Sequence, residues 1–353
     1  MFTVIQQWLK KHFSDPDAVI LLLAIIFVFL VIIFMGKMLA PIIAALVLAY
    51  ILEAIVSVFR RCCLPRWFAV SIVYAFFVAL LVYAVVGLLP LLAQQFGQVV
   101  AEAPKILASF HQYLQTLPAK YPSFISSHSV HDIVASTSVD NNKIASLGKV
   151  AFSASISSVP SIVAWMVYLF LVPLLVLFFL KDKRKLIAWS SGWMPVNRGL
   201  IDKVLSEMKC QLGNYIRGKV LEMIIVGVVT YIGFWFFGLK YAPLLAFFVG
   251  LSVIIPYVGM VVVTIPVIII GLVQWGLTPH FAYMFIVYLV IQALDGNLLV
   301  PLLFSEAVNL HPVAIIAAVL IFGSIWGFWG LFFAIPLATL VKSLVNAWEL
   351  HQG

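Results

Sequence analysis

Long apolar runs, separated by short charged breaks, form the dominant pattern of this chain. A helix that crosses a bilayer needs about 20 mostly apolar residues. Residues 18–35 supply a first run after a polar tail containing Lys10 and Lys11. Residues 38–59 supply a second, with Pro41 near its start and Glu53 in its last third. After the basic break of Arg60, Arg61 and Arg66, residues 67–93 form an uncharged third run. Residues 150–180 hold a fourth span, which stops at Lys181-Asp182-Lys183-Arg184-Lys185, and residues 223–239 predict a fifth. The stretch 241–294 contains no Asp, Glu, Lys or Arg and is long enough for two passes, broken near 274–279. Residues 307–341 are likewise too long for one plain span. The pattern predicts an all-α polytopic membrane protein with about eight transmembrane elements, the last ones discontinuous or re-entrant.

Two stretches break the theme. Residues 94–149 carry Pro104, Pro118, Pro122 and scattered charges, with helical spacing only at Ile106, Phe110, Tyr113, Leu114 and Leu117. They predict a small, partly helical periplasmic domain. Residues 197–216 are amphipathic: Leu200, Ile201, Val204, Leu205, Met208, Leu212 and Tyr215 recur at helical spacing opposite Lys203, Glu207 and Lys209, which suits a helix on or under the membrane surface. The expected organisation is a tail at 1–17, helices one to three at 18–93, the periplasmic domain at 94–149 and helix four at 150–180. A cytoplasmic basic loop and amphipathic helix follow at 181–216, then a core with broken helices at 217–348 and a tail at 349–353. The first run exceeds the 7–15 residues of a signal h-region and no small-residue cleavage site follows it, so it reads as a retained span.

Composition supports lipid as the solvent. The 353 residues are 64% hydrophobic and 10% charged, against about 45–50% and about 25% in soluble domains. The net charge of +8 lies beside apolar segments, where it encodes orientation and not a nucleic-acid surface. With a cytoplasmic N-terminus, the inside Lys and Arg are Lys10 and Lys11, the three arginines 60, 61 and 66, nine between Lys181 and Lys219, and Lys342. Outside fall only Lys37, four between Lys105 and Lys149, and Lys240. Both termini are therefore expected in the cytoplasm. The cysteines, Cys62, Cys63 and Cys210, then sit on the reducing side, and no second pair completes a metal or redox site.

Candidate chemistry concentrates in the last 140 or so residues. Asp295 follows directly on the uncharged run; an Asp at mid-membrane costs roughly 2.5–3.5 kcal/mol and so faces a cavity or a partner. Gln292, Asn297, Glu306, Asn309 and His311 lie close in sequence, a set suited to relaying protons or binding a polar solute. The alternative is that Asp295 caps a helix near the interface and Gly296 marks its break. Helix breaks are expected at Pro256, Gly259, Pro266 and Pro301, and at Gly323, Gly327, Gly330 and Pro336. Gly259 to Pro266 and Gly330 to Pro336 share a loose pattern, glycine then an apolar run and Ile-Pro. Glycines also serve close helix packing. Glu222 is placed to pair with Lys219 or Arg217 at the cytoplasmic edge of the fifth span, a structural role more than a catalytic one. His128, His131 and Asp132 make a weak metal candidate, and no metal or cofactor is expected. No Gly-rich phosphate loop and no intramembrane protease motif occurs, so no enzyme is expected.

Five motifs carry a resemblance. Phe178-Phe179-Leu180-Lys181-Asp182, Asn214-Tyr215-Ile216-Arg217-Gly218-Lys219, Ile255-Pro256-Tyr257-Val258-Gly259, the run Gln292 to Pro301 and Asn309-Leu310-His311-Pro312, together with the Gly323–Pro336 tract, resemble the autoinducer-2 exporter family of bacterial permeases, essentially end to end. The resemblance implies an inner-membrane protein with about eight membrane elements and a periplasmic domain between the third and fourth. It also implies export of a small furanosyl signal, or sodium/proton antiport, in some members, and an oligomer with an elevator-like movement. Its motif positions fall on Asp295, Asn297, Pro301, Pro256 and Gly259. The expected function is secondary transport of a small solute or ion, coupled to a proton or sodium gradient, with lipid as the surrounding partner. A membrane scaffold acting through residues 94–149 or the basic 181–219 region, and a passive channel, are the alternatives.

Overall fold

A computed structural model describes residues 16–61, 64–120, 159–192, 199–304 and 310–350. Its elements are helices: α1 (Pro16–Arg61), α2 (Arg66–Tyr83), a π-helical turn (Ala84–Leu88), α3 (Leu89–Lys120), α4 (Val159–Lys181), α5 (Lys183–Ser191) and α6 (Gly199–Phe237). These are followed by α7 (Ala242–Ser252), α8 (Val258–Trp275), α9 (Pro279–Leu294), a second π-helical turn (Asp295–Leu299), α10 (Val300–Phe304), α11 (Pro312–Trp326) and α12 (Phe328–Leu350). Among the described residues five helices are long and apolar enough to cross a membrane, and only 11 to 28% of each apolar window is buried in protein. So much bare apolar helix is stable only when lipid covers it.

Several expected boundaries are absent. Residues 18–35 and 38–59 lie on one helix, α1. Gly36 does not end it; the indole of Trp326 packs against this glycine. The amphipathic 197–216 segment and the fifth span merge into the 39-residue α6. The third run passes through Gln94 without a stop, so α3 carries Pro104 and Pro118 inside a helix. A change of polarity alone does not end a helix; an end needs a cap or a backbone that cannot continue. Cys62, Cys63, His128, His131 and Asp132 fall outside the described residues.

The chain divides into two compact units, residues 1–75, 168–220 and 302–353, and residues 76–167 and 221–301. In the first, the Arg66 guanidinium donates to both oxygens of Glu53 at 3.1 and 3.2 Å and to the Leu180 carbonyl at 2.9 Å. Lys183 reaches the same carboxylate at 3.1 Å. The forked Arg66 contact is the strong part, about 1.5–3 kcal/mol for a charged hydrogen bond; the more exposed Lys183 adds little. Together they bind the ends of α1, α2, α4 and α5.

The same unit holds the α11–α12 hairpin, turned by Gly327 alone at φ +61°. Pro336 sits inside α12 and does not break it. Proline lacks the N–H that would bond the carbonyl four residues back, Phe332. The buried Tyr215 hydroxyl donates to that carbonyl at 2.9 Å. Tyr215, one of the motif residues, therefore repairs the gap.

In the second unit, α7 and α8 form a hairpin, and α6 meets α7 so closely that a Cβ on Gly250 would lie 3.0 Å from the Gly227 Cα. Helix α3 holds the hairpin's far ends. Gln95 accepts from the Leu244 N–H at 3.0 Å, Glu102 accepts from the Tyr241 hydroxyl at 2.8 Å, and Tyr113 accepts from the Leu277 N–H at 2.6 Å. Burial, then the Glu102 hydrogen bond and charge, push Tyr241 up to about 12.

Candidate functional site

Helix α9 starts where Thr278, in extended conformation, accepts from the Phe281 N–H and Pro279 fills the first turn, a common N-terminal arrangement. Its inward stripe runs through Phe281, Met284 and Tyr288, all buried, and continues at helical spacing to Gln292 and Asp295. The stripe thus turns from aromatic to polar toward its end. Tyr288 and Thr264 of α8 share a 2.7 Å hydrogen bond. Because the Thr264 hydroxyl donates to the Met260 carbonyl at 2.7 Å, the Tyr288 hydroxyl is the donor in that pair.

Beyond Leu294 the helix widens instead of ending. Residues 295–299 form a π turn in which the Val300 N–H reaches back to the Asp295 carbonyl. Asp295 is therefore not a cap at a break, and Gly296 is not a stop: its backbone is helical and no heavy atom lies within 4 Å of where a Cβ would stand. Pro301, just after the turn, lies inside α10, and Pro266 lies inside α8. Neither breaks its helix. Single-turn π segments are frequent at functional sites, and this one carries Asp295 with its Oδ1 out of reach of solvent. The Gln292 Nε2 is also buried and makes no hydrogen bond to a described residue. Asn297 is exposed and spends its side-chain N–H on the Ala293 carbonyl at 2.8 Å.

The tip of the α7–α8 hairpin approaches the same level. Tyr257 has φ +63° and ψ −51°, and the Val258 N–H bonds the Pro256 carbonyl at 2.7 Å. This is a γ-turn of the rarer, strained kind, centred on an aromatic residue. Helices α8 and α9 run antiparallel, since Thr264 meets Tyr288 while Gly271 meets Phe281 and Met284. From the Thr264–Tyr288 contact, Tyr257 and Asp295 each lie seven residues on, about 10 Å along their helices. The strained turn and Asp295 therefore stand at about equal depth. Gly259 makes the turn possible, because its Cα lies directly against the Ser252 carbonyl.

The other predicted residues fall elsewhere. His311, in the first unit, caps α11 by accepting from the Val313 N–H at 3.3 Å; Glu306 and Asn309 lie outside the described residues. Gly323 packs against Leu331, Gly330 lies against the Phe322 carbonyl, and Gly327 alone supplies the turn. Lys181 ends α4, and Asp182 holds Lys185 at 3.4 Å. Arg217 lies over the Tyr50 ring at 4.7 Å. Lys219 and Glu222 are 4% and 2% exposed, so both side chains are enclosed by protein. The Glu53–Arg66 fork, the Thr264–Tyr288 bond and the α3 contacts carry no local sequence signal, since their partners lie 13 to 164 residues apart.

Residues 21–350 match the family described as "AI-2E family transporter". The chain is 46% identical, over its whole length and 99% of the relative, to the Escherichia coli (strain K12) protein named "Putative permease PerM". It is 26% identical over 88% of its length to the Bacillus subtilis (strain 168) protein named "Putative transport protein YueF", of which it covers 84%. With its several apolar helices, this multi-pass membrane chain belongs to the AI-2E transporter family.

Proposed function

We propose that the chain is a secondary transporter of the bacterial inner membrane that moves a small solute or ion, coupled to a proton or sodium gradient. The carrying observation is the half-buried Asp295, whose carboxylate Oδ1 is out of reach of solvent in a π turn within a membrane span, level with the strained tip of a broken helix. Intramembrane carboxylates mark ion and solute paths, and interrupted helices mark transporter binding sites. Asp295 carries the exchangeable charge. Gln292 offers a buried donor beside it, and the backbone groups of the α7–α8 tip supply further polar contacts. The Arg66 and Lys183 ends face the cytoplasm, as the basic bias of the chain requires. The relatives' names support transport as the class, and the family resemblance makes small furanosyl compounds the first solutes to test.

The test reconstitutes wild type and Asp295→Asn in liposomes with an internal pH dye, adding sodium or furanosyl solutes against a fixed proton gradient. Wild type should move protons on addition and Asp295→Asn should not. Equal proton movement in both would remove Asp295 from the path, and a folded but silent wild type would overturn gradient-coupled transport of these species.

A further inference from the structure

At one end of the first unit, cations outnumber the anions that could balance them. The Arg66 guanidinium bonds both the Glu53 carboxylate and the Leu180 carbonyl, which brings the ends of α1, α2, α4 and α5 to one level. Among the described residues two carboxylates stand there, and both are spent: Glu53 on Arg66 and Lys183, Asp182 on Lys185. Arg60, Arg61, Lys181 and Arg184 are exposed and make no ion pair with a described residue. The C-termini of α1 and α4 favour cations, but each carries only about half a negative charge, which leaves about three of the four positive charges uncompensated.

This surface lies at the edge of the apolar spans. Lys181 closes the apolar run of α4, and the spans of α1 and α2 end and begin at Arg61 and Arg66. Trp67, beside Arg66, is exposed, as suits an indole at the boundary between lipid and water. Arg60 and Arg61 follow Glu53 by seven and eight residues, about 10–12 Å along α1. The polar layer of a leaflet is about 5–7 Å thick, and long basic side chains reach back to it along their apolar stems. Helical bonding continues across Asp182, whose N–H bonds the Phe178 carbonyl at 2.8 Å and whose carbonyl accepts from Leu186 at 3.0 Å. Arg184 therefore stays within one turn of Lys181.

Helix α5 points to the same partner. Every residue from Lys183 to Trp189 is exposed, so the helix buries no face in the protein. A helix of this length is marginal in water by itself. Its sequence opens with three cations and then presents Leu186, Ile187 and Trp189, all exposed. A bilayer surface accepts both halves, the cations at the phosphates and the apolar side chains just beneath them.

We propose that this end of the first unit is a docking surface for anionic phospholipid, with Arg60, Arg61, Lys181 and Arg184 holding lipid phosphates and the apolar side chains of α5 seated in the boundary layer beside them. Trp67 marks the level at which the headgroups lie. Each basic residue close to an anionic membrane surface strengthens binding about fivefold, so four acting together give a strong preference over zwitterionic lipid. The proposal requires only a membrane-spanning chain and holds whatever that chain carries.

The test uses the full chain, purified in detergent and stripped of lipid, then given equal amounts of phosphatidylglycerol and phosphatidylcholine with the same acyl chains. Native mass spectrometry reads which lipid is retained. Wild type should keep phosphatidylglycerol over phosphatidylcholine by about tenfold or more, and the preference should weaken as salt is raised. The variant Arg60→Gln/Arg61→Gln/Lys181→Gln/Arg184→Gln should fall close to parity, while Arg60→Lys/Arg61→Lys/Arg184→Lys keeps the preference. All these side chains are exposed, and an unchanged melting temperature with a single elution peak confirms that each variant is folded. Lys105→Gln/Lys240→Gln, which removes charge from the second unit, should leave the preference as it was. Parity in wild type, a preference that survives the four glutamines, or an equal loss per charge in the second-unit variant overturns the proposal. So does displacement of the lipid by inorganic phosphate at the same concentration, since the surface would then be a site for free anions. A second arm places α5: in liposomes of phosphatidylglycerol brominated on its acyl chains, Trp189→Phe should remove part of the tryptophan quenching. Quenching unchanged by that substitution would put α5 in water and overturn its seat in the bilayer.

Discussion

In the α7–α8 hairpin, a glycine two residues into the second helix lies against the Ser252 carbonyl; in α11–α12, a glycine three residues in lies against that of Phe322. Each hairpin then reaches an Ile-Pro pair inside its second helix, at Pro266 and at Pro336. The ends of the two turns differ. Between α11 and α12 stands one residue, Gly327, whose positive φ costs a glycine almost nothing. Between α7 and α8 stand residues 253–257, closing on a γ-turn at Tyr257, where a side chain occupies a backbone region that disfavours one. One hairpin is finished tightly, with its proline gap repaired by Tyr215; the other stores strain level with Asp295. Strain of this kind persists only where the surroundings enforce it, and it gathers at sites that work. On the transporter reading proposed above, α7–α8 would be the hairpin that moves or binds and α11–α12 the fixed one.

The largest effect is expected where the two hairpins agree. Gly259→Ala and Gly330→Ala each push a Cβ into a backbone carbonyl that cannot rotate away, and each should destabilise the protein by about 3 kcal/mol or more. Gly296→Ala is the control: its Cβ meets open space, and better helix propensity should leave stability unchanged or raise it by up to about 1 kcal/mol. Thermal unfolding in detergent, followed by tryptophan fluorescence, measures all three. Three equal melting temperatures would show that neither hairpin is closed by its glycine.

A smaller effect separates the hairpins. Tyr215→Phe leaves the buried Phe332 carbonyl without its donor, at a cost of about 1–3 kcal/mol. Pro336→Ala returns an N–H to that carbonyl, so Tyr215→Phe should cost much less in the Pro336→Ala background. A double-mutant cycle reads the coupling directly. Additive costs would mean that the tyrosine hydroxyl does not replace the missing amide.

These features were unequally visible in the sequence. Ile255-Pro256-Tyr257-Val258-Gly259 announced a break because proline and glycine act on their own backbone, and Gly327 was legible for the same reason. Pro266, Pro301 and Pro336 carried the same signal without breaking anything; at Pro336 the freed carbonyl of Phe332 is served by Tyr215, 117 residues away. Asp295 stood out as an acid beside uncharged sequence, yet the π turn that carries it leaves no mark in residue type. The runs 18–35 and 38–59 looked like separate spans, yet Gly36 between them is a packing contact for Trp326 within one helix. The burial of Glu222 was not legible, because counting residues along a span does not reveal which face of the helix turns inward. Local backbone chemistry can be read from sequence; partnership across a hundred residues cannot.

The smallest effect tests the strain itself. Tyr257→Gly removes the Cβ from a positive-φ turn, relieving about 1–3 kcal/mol, while the freer unfolded chain takes back about 0.5–1 kcal/mol. The Tyr257 side chain is 57% exposed, so little packing is lost, and a net gain of about 1 kcal/mol should appear as a higher melting temperature. If the strain serves the transport cycle, the same substitution should slow sodium-driven proton movement, because a relaxed tip no longer favours leaving its resting conformation. The matching change on the other hairpin, Gly327→Ala, introduces strain where there was none and should lower the melting temperature by a similar amount. Opposite shifts in stability at the two tips, with flux altered only at Tyr257, would establish that the hairpins divide the work. A Tyr257→Gly protein with unchanged melting temperature and flux would mean that the turn stores no usable strain, and the two hairpins would then have to be treated as equivalent.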